Sequence, residues 1–337
     1  MRNGILVGGN WIIDQVKTID TFPEEEKLVT IVSECLSNGG SAYNILKDLV
    51  KLQADFPLSG LGLVGDDERG DYIINDCKTM GIDTTQIRKT STAHTSYTDV
   101  MTVKSNGKRT FFHQRGANAY LDINDFNFAS SNARVFHLGY LLLLDQLDRL
   151  EADGLTRAAK VLKAAIKSGF ITSVDVVSEN SDRFSTLIPP ALPYIDYLFL
   201  NEYEASMITG ITTSVTGKAS KDLCEQAALK IITMGVKRWV IVHFPAGAVA
   251  VSNTKQVLFQ SSINVPEHLL IGSVGAGDAF AAGVLMGIHN EQSMEKSLQL
   301  GVGAAASSLF SSTSSDGVLS SKECLSLAAI YGYRQSL

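Results

Sequence analysis

The sequence of 337 residues has little cysteine, proline or tryptophan, and neither sign of charge dominates it. Its four cysteines lie far apart without a C-x-x-C pair, which predicts buried free thiols and excludes a zinc cluster or a disulfide framework. A formal net charge of -6 argues against a broad nucleic-acid surface. No apolar run approaches the ~18 residues of a membrane span, and the apolar stretch in the start MRNGILVGGNW is too short for the hydrophobic region of a signal peptide. These absences favour a globular cytoplasmic protein whose partners are small molecules, with no nucleic acid and no membrane.

What the chain does have is an alternation of short β-rich runs with segments of helical periodicity. The run GILVGG (4–9) predicts a buried strand, and SAYNILKDLVKLQ (41–53) carries apolar residues at helical spacing. Repeated β-α units need right-handed crossovers, which predicts a doubly wound, mostly parallel sheet flanked by helices. Because no proline-rich linker or repeat interrupts this pattern, residues 1–337 are expected to form a single α/β domain.

Two segments break the alternation, at about residues 11–34 and 94–115. Both carry strand-like runs, and the second contains Asn106-Gly107, a typical hairpin turn. Such strands do not easily join a parallel core, so we expect them to form a small antiparallel β flap. Flaps of this kind commonly cover a substrate, and the two segments are therefore predicted to form a lid.

Several glycine clusters imitate phosphate loops. GLGLVG (60–65) matches G-x-G-x-x-G, yet its apolar residues predict a strand, and no helix start follows it. TGKAS (216–220) lacks the spacing of a P-loop. A dinucleotide-dependent oxidoreductase is therefore not expected.

The stretch GSVGAGDAF (272–280) differs because a small, apolar helical run follows it. Gly275, Ala276 and Gly277 are predicted at a helix N-terminus, where free amides and the helix dipole favour an anion. Asp278, in the first turn, would be kept ionised by the same amides and could accept a proton from an attacking hydroxyl. The alternative is a glycine-rich turn in which Asp278 only caps the helix.

Three further motifs change the balance between these interpretations. Together with GSVGAGDAF they occur in the order found in one enzyme family: SNGGSAYNIL (37–46), GLVGDDERG (62–70), NEYEA (201–205) and then GSVGAGDAF. On these motifs the sequence resembles the PfkB family of carbohydrate kinases, which have the ribokinase-like fold. The resemblance runs nearly from end to end and implies the same α/β fold, with a small β lid.

The resemblance also implies roles for individual residues. Asp278 would be the general base, and the amides of Gly275, Ala276 and Gly277 would form the anion hole for the transferring phosphoryl group. The implied substrate-binding residues are Asp14, at the end of the N-terminal strand, Gly39, Gly40, Asn44 and Arg115. The implied residues of the nucleotide site are Asn201, Glu204 and Gly247, with Asn201 and Glu204 holding Mg²⁺ through water.

Departures from the family pattern affect two of these expectations. Gly272 stands where the family usually has the aspartate that helps to hold a monovalent cation, so dependence on a monovalent cation is doubtful. Only Gly247 remains of the two glycines near the nucleotide, and Phe244 replaces the first. Arg115 is about as compatible with a surface position as with a substrate contact, and the six histidines have no metal spacing.

The expected function is ATP-dependent phosphorylation of a hydroxyl of a small sugar or sugar-like molecule, with ATP and Mg²⁺ as cofactors. A nucleoside kinase of the same family is the first alternative, with Trp11, Tyr97 and Phe112 as candidates for stacking on a base. The second alternative is a ligand-binding protein with a degenerate kinase site. Lids in this family often pair, so we also expect a homodimer through the lid.

Overall fold

The computed structural model describes residues 2–335, which form strands, helices and short 3₁₀ turns. The strands are β1 Ile5–Gly9, β2 Ile12–Ile19, β3 Ile31–Gly39, β4 Leu58–Gly65, β5 Asp83–Thr90, β6 Ser96–Val103, β7 Arg109–Gln114, β8 Val135–Leu141, β9 Ile171–Val176, β10 Tyr197–Asn201, β11 Ser214–Val215, β12 Lys218–Ala219, β13 Trp239–Phe244, β14 Gly247–Ser252 and β15 Val257–Ser261. The helices are α1 Ser41–Lys51, α2 Glu68–Thr79, α3 Arg157–Lys167, α4 Phe184–Leu187, α5 Glu202–Thr209, α6 Lys221–Thr233, α7 Ala276–His289, α8 Met294–Ser308 and α9 Ser321–Tyr331.

The central sheet has nine strands in the order β15-β14-β13-β10-β9-β8-β1-β4-β5. All pairs from β13 to β5 are parallel, and the two pairs at one edge, β13–β14 and β14–β15, are antiparallel, so β14 is the reversed strand of this sheet. This confirms the predicted doubly wound, mostly parallel sheet. GLGLVG lies inside strand β4, in agreement with the interpretation that it is not a dinucleotide loop.

Helices cover both faces of the central sheet because successive side chains of a strand point to opposite faces. In β10, Tyr197 and Phe199 pack with α1, α7 and α8, whereas Leu198 and Leu200 pack with α3, α5 and α6. Strands buried on both faces read as continuous apolar runs, and this is why the periodicity of the sequence predicted them well. None of the helices in the described part of the chain is long and apolar enough to cross a membrane.

A separate small sheet has the strand order β3-β2-β6-β7 and contains the two segments that broke the alternation. Its β6–β7 hairpin turns at Asn106-Gly107, as predicted, with Gly107 at φ 67°. The prediction of a purely antiparallel flap is wrong, because β2 and β6 pair in parallel over their whole length. The chain leaves the small sheet at the end of β3 and passes through the central domain before β6, so β6 can enter the small sheet in the same direction as β2. Strand β3 also continues to Gly39, beyond the predicted boundary at residue 34.

Three local predictions differ from the structure. The sequence pattern predicts a helix near residues 151–168, but α3 begins at Arg157, because Gly154 turns the chain and the Thr156 side chain caps the amide of Ala159. The run SSINVP (261–266) predicts a strand, but beyond the end of β15 it forms a single bridge at Ile263. Cys35 is exposed on the edge strand β3, whereas the other three cysteines are buried free thiols as predicted.

Candidate active site

The polar residues of the candidate site collect at the carboxyl ends of neighbouring strands of the central sheet. Tyr140 lies near the end of β8, Asp175 near the end of β9 and His243 near the end of β13. The chain reverses its direction of winding between β1 and β8, and ligands of open α/β sheets bind at such a switch point. Asn10, just after β1, donates its backbone N–H to the Gly139 carbonyl (2.9 Å) and so links β1 to β8 at this switch point.

Helix α7 begins at this edge of the sheet, as the sequence predicts. Gly275 is its N-cap at φ 75°, a left-handed conformation that favours glycine, and no side chain caps the helix. The Ala276 amide makes one long hydrogen bond, of 3.5 Å, to the Ser273 carbonyl, and the first turn, which includes Gly277, can turn its amides to an anion. Asp278, in the same turn, is buried, with only 7 % of its surface exposed.

Two side chains donate hydrogen bonds to the carboxyl of Asp278. Asn44 Nδ2 lies 2.8 Å from Asp278 Oδ2, and Tyr140 Oη lies 2.7 and 2.8 Å from its two oxygens. Burial, with the negative charge of Asp175 as a further cause, raises the pKa of Asp278 to about 7 against the opposing effect of these two hydrogen bonds. The expectation that the helix amides keep this carboxyl fully ionised is therefore wrong, because desolvation is the larger effect.

Asn44 is buried on the first turn of α1, and it connects Asp278 to a chain of buried side chains. Its Oδ1 accepts a hydrogen bond of 2.7 Å from Asn38 Nδ2, and Asn38 also donates to Ser315 Oγ at 2.8 Å. The structure thus brings the N-terminal glycine motif into direct contact with the C-terminal signature.

Asp14 lies near this network, but not at the end of the N-terminal strand, where the sequence predicts it. It is part of β2 in the small sheet and does not end the strand β1. Gly39, the last residue of β3, pairs with Ile12 of β2, two residues before Asp14, and a Cβ added to Gly39 would lie 2.3 Å from Asp14 Oδ1. Burial raises the pKa of Asp14 to about 7, with the negative charge of Asp278 as a further cause. Gly40 follows as the N-cap of α1.

Asn201 and Glu204 form a reciprocal capping box at the start of α5. The Asn201 side chain accepts from the amide of Glu204 (2.8 Å), and Glu204 accepts from the amide of Asn201 (2.8 Å). Ser178 donates a third hydrogen bond, at 2.7 Å, to Glu204 Oε1. Burial raises the pKa of Glu204 to about 8.

These oxygens line a cavity of about 260 Å³ together with Asp278, and their chemistry suits Mg²⁺. The cavity is also lined by Asp175, whose buried Oδ1 accepts no hydrogen bond from residues 2–335 and lies 3.4 Å from His137 Nε2. Within residues 2–335, no three histidine, cysteine, aspartate or glutamate side chains are grouped as direct metal ligands. The donor set therefore fits an ion that keeps much of its water, as Mg²⁺ usually does.

A second cavity, of about 340 Å³, adjoins the first and contains Gly247 and Phe244. Its walls are mainly apolar and come from the end of β13, from α7 and from α8, where Ala305 and Ala306 leave room. Phe244 stacks on Phe259 with ring centroids 6.3 Å apart, so it forms part of the wall of this cavity and does not fill it. A pocket of this shape fits a flat, apolar group.

His243 lines both cavities, together with Gly277. The sequence showed no metal spacing among the six histidines and did not single out this one. Burial lowers its pKa to about 4, so its imidazole is neutral near pH 7. A histidine at the end of a buried apolar strand, RWVIVHF, was the available sequence signal.

Tyr140 and Asp175 are also site residues that the motifs did not indicate. Asp175 interrupts the apolar strand β9. A charged residue in a buried strand indicates a candidate site residue, so this one could have been found from the sequence. Ser41 Oγ donates to Asp175 Oδ2 at 2.8 Å. No sequence pattern distinguishes Tyr140 from an ordinary core tyrosine.

Arg115 lies just past β7, and its guanidinium is engaged by carboxylates. Its Nη1 lies 2.6 Å from Asp145 Oδ1, and its Nη2 lies 3.5 Å from Glu179 Oε2. Its predicted contact with substrate stays a prediction. Gly272 lies beside Ser311 and beside Arg109 of the small sheet, so a guanidinium approaches the position where the family usually has an aspartate.

The three aromatic residues considered for stacking on a nucleoside base have different positions. Trp11 is fully buried, and its indole N–H donates to the Leu61 carbonyl at 2.9 Å, so it is a core residue. The strand register places Tyr97 and Phe112 on the face of the small sheet opposite to Asp14.

The fold and site define a doubly wound α/β enzyme with a buried carboxyl at an open helix N-terminus, and comparison with known proteins agrees. The model of the pfkB family of carbohydrate kinases matches residues 4–320. Ribokinase of Staphylococcus aureus is 26% identical over 84% of this chain and 83% of its own length. ATP-dependent ribose-1-phosphate kinase of Halopiger xanaduensis is 25% identical over 86% of each chain. The structure of Arabidopsis thaliana ribokinase complexed with ribose and ATP has a TM-score of 0.78 at 23% identity and covers 97% of this chain and 99% of that one.

The chain belongs to the PfkB family of carbohydrate kinases, since the family model spans nearly its whole length. It is therefore an ATP-dependent kinase that acts on a sugar-like substrate.

Proposed function

We propose that this enzyme phosphorylates a hydroxyl of a small sugar or sugar-like molecule with Asp278 as the general base. The observation that carries the proposal is the position of Asp278. Its carboxyl is buried in the first turn of α7, in a cavity that adjoins the apolar cavity across His243 and Gly277. Asp278 lines one cavity and follows Gly277, which lines both, so the base can reach a hydroxyl in the first cavity while phosphate enters from the second.

The reaction needs little covalent chemistry from the protein. Asp278 takes the proton of the acceptor hydroxyl, the hydroxyl oxygen bonds to the γ-phosphorus, and the bond to ADP breaks. The amides of Gly275, Ala276 and Gly277 stabilise the charge on the transferring group, the Ala276 amide by giving up its long bond to the Ser273 carbonyl. A base with a pKa near 7 is half ionised at neutral pH, which suits general-base catalysis.

Mg²⁺ would be held through water by Asn201 and Glu204, where it would neutralise phosphate charge. Both side chains already fix each other in the capping box, so they present a rigid oxygen surface to the cavity. The apolar cavity beside Gly247 would take the adenine of ATP.

The acceptor hydroxyls would be bound by Asp14, Gly39, Gly40 and Asn44, and the small sheet would form the lid over them. Carboxylate and amide groups around one point suit a polyol, because each can pair with a hydroxyl. The burial of Trp11, and the face on which Tyr97 and Phe112 lie, support a sugar in preference to a nucleoside.

We also propose a homodimer through the small sheet. Its edge strands β3 and β7 expose large apolar side chains, with Leu36, Phe111 and Phe112 each more than half exposed. Exposed apolar residues clustered on edge strands mark a protein interface or an aggregation risk.

The test is release of ADP, measured by a coupled assay, over ribose, fructose, 2-keto-3-deoxygluconate, adenosine and phosphosugars. We expect turnover with a sugar or phosphosugar and a loss of several orders of magnitude in Asp278→Asn, while ATP binding persists. Asp222→Asn is the matched control, because Asp222 is an exposed first-turn aspartate of α6.

Near-normal turnover in Asp278→Asn would exclude the assigned base. Turnover with adenosine alone would favour the nucleoside kinase, and ligand binding without ADP release would favour a degenerate site.

A further inference from the structure

The hydroxyl of Tyr140 lies almost equally far from both oxygens of Asp278, at 2.7 and 2.8 Å. Of the described side chains, Tyr140 and Asn44 are the two that donate to this carboxyl, and Asn44 reaches only Oδ2. Tyr140 is therefore the donor best placed to interact with the whole carboxylate.

The surroundings of Asp278 are otherwise unfavourable to a negative charge. Asp175 on β9, Asp14 on β2 and Asp48 on α1 all repel it. Glu204 on α5 and the neutral His243 on β13 line the same cavity, whose described lining contains no lysine or arginine. In such a place, a hydrogen-bond donor to the carboxylate has a large effect on ionisation.

Tyr140 is suited to remain a donor. Burial raises its pKa well above the ordinary value, and the charge of Asp278 raises it further, so the phenol keeps its proton at physiological pH. Its backbone N–H donates to Asn10 Oδ1, and Asn10 Nδ2 donates to the Leu143 carbonyl at 3.0 Å. These bonds hold the tyrosine at the switch point of the sheet.

We infer that Tyr140 is a positioning residue that holds the carboxyl of Asp278 toward the acceptor and favours its ionised form. A carboxylate offers about four acceptor sites, so the phenol and the Asn44 amide leave room for the acceptor hydroxyl. The inference rests on the proposed function as far as catalysis is concerned, but the effect on ionisation does not depend on turnover.

The first experiment compares the pH dependence of kcat/KM in the wild type and in Tyr140→Phe. A hydrogen bond to a charged group corresponds to about 1 to 2 pH units, so the acid limb should move upward by that amount. Activity should fall about 5- to 50-fold at pH 7 and return to within about twofold of the wild type at pH 9. Tyr43→Phe is the matched control, because it removes a phenol hydroxyl that donates to Asp76, away from the site.

The second experiment needs no activity. The pH dependence of urea unfolding is measured in the wild type, Tyr140→Phe, Asp278→Asn and the double variant. The wild type loses stability as the pH rises until Asp278 is ionised. In Tyr140→Phe this loss should continue to a pH about 1 to 2 units higher. In the Asp278→Asn background, Tyr140→Phe should leave the pH dependence unchanged.

The outcomes separate the two proposals. A wild type that is inactive on every acceptor contradicts the proposed function, while the unfolding cycle still decides the role of Tyr140. An unchanged acid limb in an active Tyr140→Phe enzyme, or an equal loss of activity at all pH values, overturns the inference. The inference is also overturned if Tyr140→Phe shifts the pH profile of unfolding in the Asp278→Asn background.

Discussion

Asn44 Nδ2 lies 2.8 Å from Asp278 Oδ2, which joins the first turn of α1 to the first turn of α7. The two residues come from motifs at opposite ends of the chain. Their contact places the residues expected to bind the acceptor directly beside the candidate base, and it links both to Asn38 and Ser315.

Asn44→Ala should lower kcat/KM by about 10- to 100-fold, because Asp278 loses one of its two donors and Asn38 loses its acceptor. Steady-state kinetics with the best acceptor of the panel check this. Asn253→Ala, in an exposed turn, is the control and should retain wild-type kinetics. Unchanged kinetics in Asn44→Ala would separate this network from catalysis.

The wild-type enzyme should lose kcat/KM as the pH falls below about 7, with a slope of one proton. Burial and Asp175 raise the pKa of Asp278 to about 7, and only the ionised carboxyl accepts the proton of the acceptor. A pH–rate profile in buffers of constant ionic strength measures it. Full activity down to pH 5 would argue against Asp278 as the titrating base.

Asp278→Asn should be more stable than the wild type at alkaline pH. The pKa of Asp278 is higher in the folded state than its ordinary value of 3.8, so its stabilising contribution is present at low pH and is lost as the pH rises through 7. The variant lacks this loss. The difference between its free energy of unfolding and that of the wild type should therefore grow in its favour by up to roughly 4 kcal/mol between pH 4 and pH 8. Urea unfolding at both pH values tests the difference, and an advantage that is the same at both would contradict it.

Ala305→Phe should raise the KM for ATP by about tenfold or more, because the larger side chain enters the apolar cavity of about 340 Å³. The KM for the acceptor should change little. Ala164→Phe, on the exposed face of α3, serves as the control. An effect confined to the acceptor would mean that this cavity does not hold the nucleotide.

Phe111→Asp and Phe112→Asp test the proposed dimer, since the two side chains point to opposite faces of the small sheet. The variant on the interface face should be monomeric by light scattering, and the other should remain dimeric and act as its control. A monomeric wild type would rule out this interface.

Much of the fold follows from local sequence patterns. Apolar strands such as β10 are buried on both faces, and helix α7 begins at the glycines of the signature, so periodicity and turn residues were sufficient to predict them. The small sheet was harder, because the parallel pairing of β2 and β6 depends on a long path through the central domain.

The sequence by itself determined which residue types are available: a glycine-rich helix start followed by Asp278, an asparagine after a glycine pair, and the alternation that builds a parallel sheet. Only the tertiary structure decided that Tyr140 donates to Asp278, that His243 lies between two cavities, and that Trp11 belongs to the core. It also decided the ionisation of Asp278, which the sequence analysis had assigned to the helix amides. The physical reason is that hydrogen bonding and desolvation at a site depend on residues that are distant in the chain, whereas periodicity and capping depend on near neighbours.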